Sequence, residues 1–263
     1  MCGYHGGMSE QLFILTGASR GMDLGLAVQL LQPGHTLVCM SGHSRPELAS
    51  GAPAGATLEQ WEVDLAQPAQ AAARLRDWLA AQPATRYAGA TLINNAGVIP
   101  RIAPLSACTS AADLADQANA LRVGLEAPML LTAAFLGATE GWTQTARKVL
   151  NISSGLGRRA IASQAAYCAA KAGMDHFTRS VALDEAAKPH GAKVCSLAPG
   201  VIDTDMQVQL RGADPAGFPD VQHFAALKAG GSLSTPQAAA ARVLAWLERE
   251  DFGSKPVADV REA

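Results

Sequence analysis

Tyr167 and Lys171 stand four residues apart, and Ser154 lies thirteen residues before the tyrosine, at the end of an apolar run. On a helix, positions i and i+4 share one face, which brings the Lys171 ammonium close to the Tyr167 hydroxyl. A neighbouring cation favours the phenolate and lowers a tyrosine pKa from its usual ~10. A tyrosine tuned in this way can pass its proton to an alkoxide growing on a carbonyl oxygen, the task of a general acid. The same Tyr-x-x-x-Lys spacing also describes a solvated pair on any helix, so the surrounding elements must decide between the two.

Short apolar runs alternate with longer helical patterns, the signature of βαβ units. Strands are expected at 12–16, 36–40, 57–63, 90–94, 148–152 and 193–197, with a short final one at 257–260. Helices are expected at 21–31, 67–81, 111–139 with a break at Pro128, 164–188, and from Pro236 to about Arg249 with Thr235 or Ser234 as cap. No repeat or linker divides the chain, which predicts a single domain over 9–263; Met1 to Gly7 lack the basic start and apolar core of a signal peptide and, with Met8-Ser9 following, read as a leader at 1–8. The fold class is α/β: a Rossmann-like, doubly wound parallel sheet of about seven strands, helices on both faces, ligands at the carboxyl ends of the strands.

The turn from Thr16 through Gly17, Ala18, Ser19 and Arg20 to Gly21 joins the first strand to the first helix. Glycines there let the backbone approach a pyrophosphate, and the helix N-terminus adds N–H donors and a positive dipole. The second strand ends in Met40, Ser41, Gly42, His43, Ser44 and Arg45, without the Asp or Glu that holds a ribose 2′-hydroxyl in NAD sites. Arg20, His43 and Arg45 offer donors or positive charge for a 2′-phosphate, so NADP(H) is expected in preference to NAD(H).

Of 263 residues, 49% are hydrophobic and 17% charged, which suits buried parallel strands under closely packed helices. A net charge of −2 gives no reason to expect nucleic acid or an anionic membrane as partner, and no apolar stretch reads as a bilayer span. Five scattered cysteines (Cys2, Cys39, Cys108, Cys168, Cys195) read as reduced thiols of a cytoplasmic protein, with no spacing for a disulfide frame or metal.

Taken in order, Thr16-Gly17 with Gly21, Asp64, Asn94 to Gly97, Ser154, Tyr167 with Lys171, and Pro199-Gly200 with Thr204 make the chain resemble the short-chain dehydrogenase/reductases from about Gln11 to Val260. Ala127 to Thr132, Asn151 to Gly155 and Ala198 to Met206 are most similar to the benzil reductase and sepiapterin-reductase-like branch, whose members reduce vicinal diketones or other carbonyls with NADPH. The resemblance implies that Ser154 hydrogen-bonds the substrate carbonyl, Tyr167 delivers the proton, and Lys171 binds the nicotinamide ribose. It places Gly17, Ser19, Arg20, Gly21, Met22, Ser41 and His43 around the phosphates and the adenosine ribose. Asp64 and Leu65 would meet the adenine, and Asn95, Ala96 and Gly97 would pack on the adenosine side. Pro199, Gly200, Val201, Ile202 and Thr204 would hold the nicotinamide. Ser153 competes with Ser154, but the interval to Tyr167 favours Ser154.

Two positions depart from the pattern. The turn ends Gly21-Met22-Asp23 instead of Gly-x-Gly, which sets a carboxylate against pyrophosphate unless Asp23 rotates outward or the turn shifts to use Gly25. Gly124 stands where the family carries an asparagine behind the lysine, which predicts reduced turnover. A cover over 203–232 with Met206, Leu210, Phe218, Phe224 and Leu227 is expected above the substrate, joined by 98–105. The helices at 111–139 and 164–188 would pair in a homodimer. The expectation is a carbonyl reductase for a small-molecule ketone or vicinal diketone; the alternative is a non-catalytic or weakly active dinucleotide-binding regulatory protein.

Overall fold

Alternate residues of the first strand face opposite ways, and both ways are apolar, so the strand needs cover on both faces. In the computed structural model, which describes residues 10–262, that strand is β1 (Glu10–Thr16), in a seven-stranded sheet of order β3-β2-β1-β4-β5-β6-β7, all parallel. The others are β2 (His35–Ser41), β3 (Thr57–Glu62), β4 (Tyr87–Asn94), β5 (Ala146–Ile152), β6 (Lys193–Ala198) and β7 (Val257–Asp259). The leader expected at 1–8 lies outside the described residues.

Leu15, Leu37, Ile93 and Leu150 pack on one face with Leu26 and Leu30 of α1 (Gly21–Leu30) and Val243 and Leu247 of α9 (Pro236–Leu247). Leu12, Ile14, Val38 and Leu92 fill the other face with Leu75 and Leu79 of α3 (Pro68–Ala80) and Leu131 and Phe135 of α5 (Ala127–Ala138). A short α2 (Pro46–Ser50), which the periodicity does not suggest, follows β2. Chain order reverses between β1 and β4, so the loops after these strands part and leave a crevice at their carboxyl ends.

The break expected at Pro128 sits one turn earlier. Helix α4 (Ala111–Leu121) passes into a π turn, Arg122–Glu126, before α5 begins. Proline has no N–H and its ring crowds the carbonyl four residues back, so the widened turn relieves that crowding ahead of the proline. The expectation of no bilayer-length apolar stretch also needs correction, because Ala111–Ala138 is long and apolar enough by composition. Its Ala127, Leu131 and Phe135 are core residues packed beneath the sheet. Helix α6 (Ala165–Ala186) lies beside this segment, and α7 (Asp205–Arg211) and α8 (Val221–Ala229) form a separate apolar cluster over the crevice.

Candidate active site

Every element that carries a candidate residue delivers it to the same edge of the sheet. Gly17 follows β1, Ser41 ends β2, Asp64 follows β3, Asn95 follows β4, Ser154 follows β5, and Pro199-Gly200 follows β6. Gly17 (φ 74°) and Gly21 (φ 54°) hold left-handed conformations that side chains avoid, and the Gly17 N–H donates to the Met40 carbonyl at 2.8 Å. Thr16 Oγ1 accepts from the backbone N–H groups of Asn95 (2.9 Å) and Ala96 (3.1 Å), fastening the β4 loop to β1. Behind it the Asn94 amide donates to Asn151 (2.8 Å) and Thr132 (3.1 Å), and Asn151 to Thr178 (2.8 Å), a buried polar brace across β4, β5, α5 and α6.

Two joined cavities open along this edge. The smaller, about 470 Å³, receives Gly17, Ser19, Ser41, His43, Asp64 and Leu65, with Ala96 on its floor. The larger, about 1030 Å³, receives Gly21, Met22 and Asn95 on one side and Ser154, Tyr167 and Lys171 on the other. Pro199, Gly200, Val201, Ile202 and Thr204 form its back wall. Arg20, Asp23, Gly97 and Val98 border both, at the junction where a bound dinucleotide must cross.

Ser154 caps the short turn Gly155–Gly157, its Oγ accepting from the Leu156 N–H at 3.1 Å. Tyr167 and Lys171 are both buried on α6, with the Lys171 Nζ 5.8 Å from the Tyr167 ring centre and donating to the Ile152 carbonyl at 2.7 Å. The expected lowering of the tyrosine does not occur. Burial pushes Tyr167 up to about 12, with a hydrogen bond to Ser154 pulling the other way. Burial also pushes Lys171 down to about 8, opposed by Asp175 and Asp23. Desolvation of both groups outweighs what one buried cation can do for the phenolate.

Asp23 neither rotates outward nor yields to a shifted turn. Its carboxylate lies over Gly17, where a Cβ would stand 2.6 Å from Oδ2. Burial raises Asp23 to about 6, opposed by a hydrogen bond with the Asn95 side chain and by Arg20 and Lys171. Gly25 serves the α1–α9 contact instead, with Ala240 and the Pro236 carbonyl 3.2 Å from where its Cβ would be. Gly124 meets α6 closely, since a Cβ there would stand 3.1 Å from the Ala170 Cβ.

Arg45 lies outside both cavities, where its N–H donates to Gln60 at 2.6 Å, so it drops out of the expected 2′-phosphate set. Arg20 faces Asp205 at 3.5 Å with both side chains largely exposed. Phe218 is fully buried inside the cover, against Phe224, and does not reach the cavity; Met206, Leu210, Phe224 and Leu227 do. Sequence reasoning missed Glu62, Arg158, Arg159, Asp259 and Arg261, all on cavity walls. Position at the carboxyl end of a strand was the available signal for Glu62. Among the described residues no cluster suited to a metal ion is present.

The model of the short chain dehydrogenase family matches residues 11–214. The chain belongs to the short-chain dehydrogenase/reductase family. It is 31% identical over 256 residues to a benzil reductase ((S)-benzoin forming) of Bacillus cereus, covering 95% of this chain and 98% of the relative. It is 30% identical to the sepiapterin reductase of Xenopus tropicalis, covering 95% of each. A short-chain dehydrogenase/reductase structure from Burkholderia vietnamiensis superposes with a TM-score of 0.61 at 32% identity, covering 97% of this chain and all of that one. The family is one of NAD(P)-dependent oxidoreductases, and this short-chain enzyme shares its sheet and its crevice.

Proposed function

We propose that this short-chain enzyme is an NADPH-dependent carbonyl reductase for a ketone or vicinal diketone, with Tyr167 as proton donor. The observation that carries the reading is the meeting of Ser154, Tyr167 and Lys171 with the glycine turn on one cavity of about 1030 Å³. The likeness to benzil reductases over nearly the whole chain supports a diketone. When bound, the nicotinamide supplies the hydride. Gly17, Ser19, Arg20, Gly21 and Met22 would hold its phosphates, Asp64 and Leu65 the adenine, Lys171 the ribose, and Val201, Ile202 and Thr204 the carboxamide. The turn and both cavities fit that group; the Asp23 carboxylate between them and Glu62 on the smaller cavity oppose its charge.

The chain's own work is at the carbonyl oxygen. Ser154 and Tyr167 would donate hydrogen bonds to it, and the Tyr167 proton would transfer as negative charge grows there. Met206, Leu210, Phe224 and Leu227 line the cavity and would screen the carbonyl from water. The NADP preference is supported by Ser41 at the end of β2 and by Arg20 and His43 on the smaller cavity, against the opposing charge of Glu62. Residues 9–263 would act as one unit, with 203–232 as cover. Exposed Leu114, Leu121, Met129 and Leu183 on α4, α5 and α6 support a homodimer, and buried unpaired Cys39, Cys108 and Cys195 support a cytoplasmic setting.

NADPH oxidation against a panel of diketones, quinones and pterins tests the activity. Tyr167→Phe should lose at least a hundredfold in kcat while keeping NADPH affinity; unchanged turnover in that variant sinks the mechanism. Asp23 favours the alternative reading, a dinucleotide-binding regulatory protein, which would bind NADPH and reduce nothing in the panel.

A further inference from the structure

Lys171 has a structural problem that Ile152 solves only in part. Its ammonium is nine-tenths or more buried and has three protons to place, and among the described residues one protein hydrogen bond takes one of them. A buried ammonium tends to shed its proton unless an anion stands near. Asp23 is one such anion, but it lies in the crossing between the two cavities and cannot remain a constant neighbour once that crossing is filled.

Asp175 is the fixed one. It lies four residues beyond Lys171 on α6, as Lys171 lies four beyond Tyr167, so all three share one buried face. Only 2% exposed, Asp175 accepts a 2.6 Å hydrogen bond from Ser196 on β6 at Oδ1. Its Oδ2 has no hydrogen-bond partner. Arg158, in the turn after Ser154, faces that oxygen from 3.8 Å, beyond hydrogen-bonding distance. Arg158 is itself divided, with Asp259 of β7 and Glu262 each 3.9 Å away. Around Asp175 the charged and titratable groups are thus Lys171 on its own helix, Arg158 from the turn, and Cys195 of β6. Lys171 in turn faces Tyr167 and, from α1, Asp23.

We propose that Asp175 is a positioning residue that keeps Lys171 protonated in its dry setting, while Arg158 draws on the same carboxylate from the substrate side. This assignment rests on the reductase reading for its meaning, but its test does not. In protein labelled at lysine Cε with carbon-13, the Lys171 signal, assigned by its loss in Lys171→Arg, reports its own titration without turnover. Asp175→Asn should lower the Lys171 midpoint by on the order of one pH unit. Arg158→Gln should raise it, because a competing cation is gone. In an active enzyme the basic limb of kcat/KM against pH should move in the same two directions, which a merely structural role for Asp175 would not produce. An unmoved or raised midpoint in Asp175→Asn overturns the proposal, as does an unmoved or lowered one in Arg158→Gln. Should Asp175→Asn yield no folded protein, the half-exposed Arg158 variant decides alone. Failure of the reductase reading would show separately, as full turnover in Tyr167→Phe.

Discussion

Asp23 offers the sharpest test of how charge governs this cleft. Its carboxylate stands at the crossing between the two cavities, and burial raises it to about 6. A bound pyrophosphate brings negative charge to the same place. Two unit charges ~4 Å apart repel by roughly 4 kcal/mol at an effective dielectric near 20. Protonating Asp23 at pH 8 costs about 3 kcal/mol, two pH units at about 1.4 kcal/mol each. The proton is therefore the cheaper route up to about pH 9, and dinucleotide binding should take one up. NADPH affinity, followed by its fluorescence on binding, should weaken about a hundredfold from pH 5 to pH 8. Asp23→Asn should remove that dependence and bind about a hundredfold tighter at pH 8. Lys171, pushed down to about 8 and partly held up by Asp23, titrates in both proteins, so the slopes are compared between pH 5 and 7, below its titration. Parallel curves would refute the reasoning. Stability gives a second reading with a definite sign. An acid whose folded pKa lies above its unfolded value stabilises below the unfolded value, and that contribution fades as pH rises through the folded one. Relative to wild type, apo Asp23→Asn should gain up to about 3 kcal/mol at pH 8 and nothing near pH 4, measured by urea unfolding.

Three further outcomes follow from the same geometry. Ser41→Asp, at the end of β2 on the smaller cavity, should shift the kcat/KM ratio from NADPH toward NADH by about a hundredfold; an unchanged ratio would move the 2′-phosphate site elsewhere. Gly157→Ala would set a Cβ 2.9 Å from the Lys171 carbonyl and 3.0 Å from Asp175, displacing the turn that Ser154 caps. It should lower kcat about tenfold or more with NADPH affinity intact, and a loss of affinity alone would contradict it. Alcohol oxidation needs the Tyr167 phenolate and reduction the phenol, while both need cationic Lys171, so with the phenol near 12 the ratio of oxidation to reduction rates should climb about tenfold per pH unit from 8 to 10; an unchanged ratio would show that Tyr167 is not the group.

The sheet was legible because each strand is a short apolar run needing cover on both faces, and because the glycine turn falls between β1 and α1. Strand ends differ by a residue at most, as β3 ending at Glu62 instead of Val63, whereas β1, β4 and β5 begin two or three residues earlier than expected, β4 at Tyr87 instead of Ala90. The π turn was not legible. Pro128 announces a break, but where it falls depends on how closely Gly124 approaches Ala170, a contact between distant segments. Spacing placed Tyr167 over Lys171 correctly and misjudged the outcome, since the burial that sets both groups is supplied in part by a cover forty residues downstream. Asp259 and Arg261 escaped notice for a similar reason. Nothing local marks them, and only the pairing of β7 with β6 carries them to the cavity.

A phenol raised to about 12 is still a competent donor in the direction of reduction. The base that receives its proton is an alkoxide, which is stronger than any phenolate, so the transfer runs downhill without prior acidification of Tyr167. What needs support is the phenolate left behind in a dry cavity, and a buried negative charge without a counter-ion is costly. Lys171 answers that need only while it stays cationic, yet the same burial presses it down to about 8. Excluding water therefore strengthens the pair's attraction and endangers the charge that makes it. The Asp175 carboxyl group one turn further along α6, bonded to Ser196 and closed to solvent, would resolve that conflict. On the proposed reading the proton donor would be a column of three side chains on one helix, with Asp175 at the base holding the Lys171 charge that a Tyr167 phenolate needs.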